Sequence, residues 1–178
     1  MKIYTRKGDD GQTGLLYGDK ISKNSVLPEA YGTVDEAQAI LGLVRTECAK
    51  GSDLEHKIIH IERDLYVLMA ELATDPSNHS KLVSGKSKVN EEMIQFLESL
   101  IDEITDSFEL PKEFVLPGQN RVAALLDISR TVVRRAERRA IACDIKDSLA
   151  VAYLNRLSDL LWVMARWQEG ESITSKSV

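Results

Sequence analysis

Apolar residues recur at intervals of three and four through five stretches of the chain, with polar breaks between them. In the first stretch Ala30, Val34, Ala37, Leu41, Val44 and Cys48 follow Pro28, and Gly51 closes it. Proline in a first turn and glycine just past the end are ordinary helix punctuation. The second stretch carries Leu54, Ile58, Ile61, Leu65, Leu68 and Leu72 without a miss. Ser52 and Glu55 form a capping box before it, and Asp75-Pro76 ends it. Asn90 caps a third, with Met93, Leu97, Leu100 and Ile104 on one face. A fourth spans residues 120–143, its apolar side read as Val122, Leu125, Val132, Ala136 and Ala140. A fifth begins near Asp147 and carries Leu149, Tyr153, Leu157, Leu160, Met164 and Trp167 up to Gly170. Five such faces on short connections predict an all-α protein, a five-helix up-down bundle occupying residues 28–170.

The remaining segments lack this period. Residues 1–27 are polar and punctuated by Gly8, Gly11, Gly14 and Gly18, which predicts a loop with a short strand over residues 2–5. Residues 77–89 read as a polar loop. The run Leu110-Pro111-Lys112-Glu113-Phe114-Val115-Leu116-Pro117-Gly118 holds two prolines and a glycine and excludes regular helix. The tail, 171–178, is expected to fray. At 178 residues the whole chain, 1–178, reads as one domain.

Composition narrows the function. Asp and Glu outnumber Lys and Arg, 28 to 23, which argues against a general nucleic-acid binder. No apolar run approaches the ~20 residues of a membrane span. The first residues lack the apolar stretch of a signal peptide, so a cytoplasmic protein is expected. Two cysteines, Cys48 and Cys143, are too few for a disulfide framework or a zinc ribbon.

Several chemical signals fail on inspection. Gly85-Lys86-Ser87 imitates the end of a P-loop, but Ser80 stands where the motif's first glycine belongs. His56 and His60 are four apart yet lie off the apolar stripe, with no third ligand nearby in sequence; they read as a solvated face. The arginines do not fail. Arg130, Arg134, Arg135, Arg138 and Arg139 with Glu137 place a local charge of +4 in a chain of net −5. Arg130, Arg134 and Glu137 share one helical face, with Arg138 beside them. A solvated surface helix ordinarily uses Lys and Glu, whereas the planar guanidinium grips phosphate at two points. The glycine-rich start, Thr5-Arg6-Lys7-Gly8-Asp9-Asp10-Gly11-Gln12-Thr13-Gly14, offers close-spaced amides, hydroxyls and two cations that can wrap a polyphosphate.

Taken together, the chain resembles the PduO-type ATP:cob(I)alamin adenosyltransferases, which make the adenosyl form of vitamin B12. The likeness rests on Ile3-Tyr4 leading into the Thr5-to-Gly14 segment, on Ala30-Tyr31-Gly32-Thr33-Val34-Asp35-Glu36, and on Phe114-Val115-Leu116-Pro117-Gly118. It continues in Ser129-Arg130-Thr131-Val132-Val133-Arg134-Arg135-Ala136-Glu137-Arg138 and in Tyr153-Leu154-Asn155-Arg156-Leu157-Ser158-Asp159. Lys7 stands where the family usually has a small hydroxyl residue, and Gln119 where it usually has glycine.

The resemblance implies a homotrimer with an active site at each subunit interface. ATP would lie among residues 5–14, Lys23, Arg134, Arg135, Ala136, Glu137, Arg138 and Asn155. The corrinoid substrate would sit near Phe114, and Asp35 of one subunit would pair with Arg130 of the next. Arg134, Glu137 and Phe114 are the candidate catalytic residues. Mg²⁺ would arrive on the ATP phosphates, with Glu137 near it. A reductase and an adenosylcobalamin-dependent enzyme are the protein partners such an activity implies. Co(I) is itself the nucleophile, so no activated serine, cysteine or general base is needed, and none is evident. The protein must instead hold C5′ of ATP in line with cobalt and stabilise the leaving triphosphate. A non-catalytic trimer that carries ATP or corrinoid is the competing reading. A bare helical interaction module is a third.

Overall fold

The faces read from the sequence assemble into a predominantly helical structure. The computed structural model describes residues 2–176. Its helices are α1 (Val26–Thr46), α2 (Asp53–Leu72), α3 (Glu91–Thr105), α4 (Arg121–Ile141) and α5 (Ala150–Glu169), with a short 3₁₀ helix at Pro76–Lys81. A two-stranded antiparallel hairpin, β1 (Gln12–Gly14) and β2 (Lys20–Ser22), precedes them, pairing Gln12 with Ser22 and Gly14 with Lys20.

All six stripe residues of α2 are buried, as are Ala30, Val34, Ala37, Leu41 and Val44 of α1. Ser52 Oγ accepts from the Glu55 amide at 3.2 Å, and the Glu55 carboxylate reaches one residue further back, to the Gly51 amide. Asn90 and Asn120 cap α3 and α4 in the same way. α4 is the central element, packing on both α1 and α5. A buried hydrogen bond from the Tyr153 hydroxyl to Asp64 Oδ2 (3.2 Å) ties α5 to α2. Burial pushes the Asp64 carboxyl up, against the opposing pull of His60 and the Tyr153 hydroxyl.

Polar contacts fix the helix directions. Cys143 Sγ lies 3.6 Å from the Val26 carbonyl, and the Leu16 amide donates to Ala73 at 2.8 Å. The start of α1 and the ends of α2 and α4 therefore share one end of the molecule with the N-terminal hairpin. At the other end Arg121 pairs with Glu47 at 2.8 Å, and Asn120 Nδ2 donates to the Gln168 carbonyl at 2.7 Å. That end also holds the 110–118 segment.

Four sequence expectations are corrected. The strand is not at residues 2–5 but in the hairpin that follows. α1 starts two residues before Pro28, which sits in the first turn, where its missing N–H leaves no helical bond unmade. The buried stripe of α4 is Ala123, Leu126, Ser129, Val133, Ala136 and Ala140 with Val132, while Val122 and Leu125 are only half-buried. Small residues there admit close approach by two neighbouring helices, so large apolar residues misreport the buried face. The tail does not fray over residues 171–176: the Leu116 amide donates to Ile173 (2.8 Å), the Ser175 amide to Phe114 (2.7 Å), and Gln119 Nε2 to Glu171 (3.0 Å). Residues 177 and 178 lie outside the described part. No helix among the described residues is long and apolar enough to cross a membrane.

Candidate functional site

The outer face of α4 carries the densest chemistry. Of its five clustered arginines, three have carboxylate partners. Arg130 Nε meets Asp127 Oδ1 at 3.1 Å, Arg135 pairs closely with Glu36, and Arg139 Nε meets Glu29 Oε1 at 3.2 Å. Arg134 and Arg138 are exposed, and no ion pair reaches either among the described residues. One helical turn apart on one face, they leave two unneutralised guanidinium groups pointing outward. Glu137 between them accepts a 2.9 Å hydrogen bond from Asn155 Nδ2 on α5, which orients its carboxylate. Ala136 is fully buried and offers only backbone and packing.

The N-terminal segment is built around Lys23. Its Nζ donates to the Gly8 carbonyl at 2.8 Å, and its amide to the Gly11 carbonyl at 2.9 Å. A Cβ on Gly8 would fall 2.8 Å from that ammonium, so a larger residue there would push the lysine tip aside. Gly11 sits at φ +77°, the left-handed region that favours glycine. Arg6 also adopts positive φ, 61°, in the turn that opens the segment. Thr5, Arg6, Lys7, Asp9, Asp10 and Gly14 are exposed, with Gln12 and Thr13 half-buried in β1. The hairpin and the end of α4 thus occupy the same end of the molecule, but no hydrogen bond or ion pair joins residues 5–14 to residues 134–138.

Phe114 belongs to the opposite end. It is 89% exposed and lines a cavity of about 610 Å³ with Pro111, Asp127, Arg130, Trp162 and Arg166. Arg130 joins the two regions, one turn of α4 from Arg134. Asp35 is exposed on α1, and within one chain no ion pair connects it to Arg130. Among the described residues no cluster of three acidic, His or Cys side chains could hold a metal by itself.

Residues 83–88, the P-loop imitation, form a tight turn. The amides of Lys86, Ser87 and Lys88 all point to the Val83 carbonyl and are spent internally. His60 stacks on Phe96 with centroids 3.8 Å apart. Cys48 and Cys143 are half-buried, and burial pushes the Cys143 thiol up to about 11.

Comparison with known proteins now decides the family. Residues 3–168 match the family described as Cobalamin adenosyltransferase. The chain belongs to that family. A corrinoid adenosyltransferase of Citrobacter freundii is 42% identical over 172 residues, covering 94% of this chain and 95% of that one. A corrinoid adenosyltransferase of Bacillus subtilis is 38% identical, covering 93% and 86%. Among solved structures, a PduO-type ATP:corrinoid adenosyltransferase from Lactobacillus reuteri, a phenylalanine-to-histidine variant complexed with cobalamin and ATP, aligns with a TM-score of 0.87. It is 29% identical and covers 99% of this chain and 97% of that one. A second variant of the same enzyme, arginine to lysine, is complexed with ATP and aligns at 0.85.

Sequence reasoning missed the buried charges behind the Phe114 cavity, Asp127, Arg166 and Glu169. The readable signal was an arginine inside the otherwise apolar end of α5. It also missed the tail, which holds the Phe114 loop. Deleting residues 171–178 is expected to leave the helical circular dichroism unchanged and to raise hydrogen exchange across residues 114–118. Unchanged protection of the Leu116 amide would show that the loop orders itself without the tail.

Proposed function

We propose that this chain transfers the 5′-deoxyadenosyl group of ATP to the Co(I) of reduced cobalamin, giving adenosylcobalamin and triphosphate. Cobalt donates its electron pair to ribose C5′; the cobalt–carbon bond forms as the C5′–O5′ bond breaks, and the pair leaves with the triphosphate. What carries the reading is the gradation along one face of α4. The Phe114 cavity and Arg130 lie towards one end, and the two unpaired arginines, Arg134 and Arg138, lie one and two turns further on. A corrinoid over the first and a triphosphate over the second would place C5′ between them.

In this reading the active unit is a homotrimer of five-helix bundles, and each site is completed by a neighbour. Residues 5–14 and Lys23 wrap the phosphates, Asn155 fixes Glu137 and contacts the nucleotide, and Asp35 meets the neighbour's Arg130. Arg134 and Arg138 stabilise charge growing on the leaving triphosphate. Mg²⁺ keeps few protein ligands and prefers phosphate oxygens, so it would arrive with ATP; Glu137 would offer one carboxylate oxygen. When bound, the ion neutralises phosphate charge. A dry wall at Phe114 keeps water from the cobalt nucleophile.

The test is an anaerobic assay with ATP and chemically reduced cobalamin, beside light scattering. Turnover by a species of three times the chain mass supports the proposal. Stoichiometric binding without turnover supports a carrier, and absence of ATP binding supports an interaction module.

A further inference from the structure

Four charged side chains lie behind and beside the Phe114 cavity, and three of them are buried. Asp127 is 5% exposed and Arg166 2%, and the Glu169 side chain is buried as well. Arg166 Nη2 donates to Asp127 Oδ2 at 2.5 Å. Its Nε lies 2.8 Å from Glu169 Oε1, close enough for an ion pair but without hydrogen-bond alignment. The guanidinium also lies 5.8 Å from the centre of the Trp162 ring. The other Asp127 oxygen, Oδ1, accepts from Arg130 Nε at 3.1 Å. Each carboxylate oxygen of Asp127 thus holds one arginine, the first buried and the second at the cavity wall.

Such a group contributes little to stability. Desolvating buried ions offsets most of their attraction, and apolar residues of similar volume often serve as well. Its geometry instead runs toward Arg130. An arginine facing a cavity loses side-chain entropy when it is fixed by a ligand alone. Here Asp127 takes Nε and leaves both terminal nitrogens of Arg130 without a partner among the described residues, on a side chain that lines the cavity.

We propose that Asp127, itself locked by Arg166, is a positioning residue that aims the Arg130 guanidinium into the corrinoid cavity. The inference rests on the proposed function for the identity of the ligand. Arg130 is held from behind within its own chain before any neighbour reaches it. Arg166, Trp162 and Glu169 serve as the backing that keeps the Asp127 carboxylate from turning.

The test measures the Kd for cob(II)alamin by quenching of tryptophan fluorescence, since Trp162 lines the cavity. Losing one charged hydrogen bond predicts about a tenfold weaker Kd in Asp127→Asn, with the Kd for ATP within about twofold of wild type. In an Arg130→Ala background the same substitution should add nothing, because its effect passes through Arg130. Should Asp127→Asn misfold, the triple variant Asp127→Leu, Arg166→Met, Glu169→Gln leaves no uncompensated buried charge and should show the same selective loss. An unchanged corrinoid Kd, or equal losses with and without Arg130, overturns the inference. Wild type that binds corrinoid but does not turn over defeats the enzymatic reading alone, because the binding cycle still judges Asp127.

Discussion

Arg134→Ala should lose about a hundredfold in kcat/KM, on the order of 3 kcal/mol of transition-state stabilisation, while keeping its melting temperature. The side chain is exposed and has no carboxylate partner among the described residues, whereas Val133 and Ala136 beside it fill the core. Removing it therefore empties no packed volume and strands no buried charge. The loss should fall on kcat as well as kcat/KM, because charge builds on the triphosphate only as the C5′–O5′ bond breaks. Arg135→Ala is the control on the same turn. Its guanidinium is already neutralised by Glu36, and an exposed pair of that kind contributes about 0–1 kcal/mol. A change of no more than a few-fold is expected there. Steady-state kinetics on the two variants decides the matter; equal losses, or Arg134→Ala within about threefold of wild type, would remove Arg134 from the chemistry.

That contrast shows how far a sequence reading reaches. Five arginines in ten residues announce an anion site by composition alone. Which of them are free cannot be read locally, because the neutralising carboxylates, Glu29 and Glu36, sit on α1, ninety-nine residues away in the case of Arg135 and Glu36. The α2 stripe was legible because a large aliphatic residue occupies each of its six positions, although Lys57, Asp64 and Glu71 are buried beside it. On α4 the pattern holds at Val132, Ala136 and Ala140 but runs one residue early at Val122 and Leu125, since Ala123 is too small to mark a face. The hairpin strands, three residues each, are too short to show a period. The pairing of Val115 with Thr174 joins segments that no local pattern connects. Asp127 was invisible for a related reason: a carboxylate counts as a surface residue until an arginine from another helix is found behind it.

Phe114→Ala is expected to fold as stably as wild type and to bind ATP normally, yet to lose the four-coordinate Co(II) signal in electron paramagnetic resonance. A phenylalanine between two prolines ordinarily plugs a loop onto a core. Here the ring is 89% exposed, so its loss removes little buried area. The backbone around it is held independently, through the Phe114 carbonyl and the Leu116 amide to the tail. An ordered loop presenting a bare ring over a cavity suits an apolar ligand face. Free Co(II) cobalamin keeps a lower nitrogen ligand that makes reduction difficult, and a ring pressed there would exclude both that ligand and water. Every 59 mV by which a retained ligand lowers the potential costs about tenfold in the Co(I) population. Activity should therefore fall by much more when Co(II) must be reduced in the site than when Co(I) is supplied. Assaying both ways separates this from a general loss of corrinoid affinity, which would weaken the two equally. An unchanged resonance spectrum beside a lowered melting temperature would return Phe114 to a purely structural part.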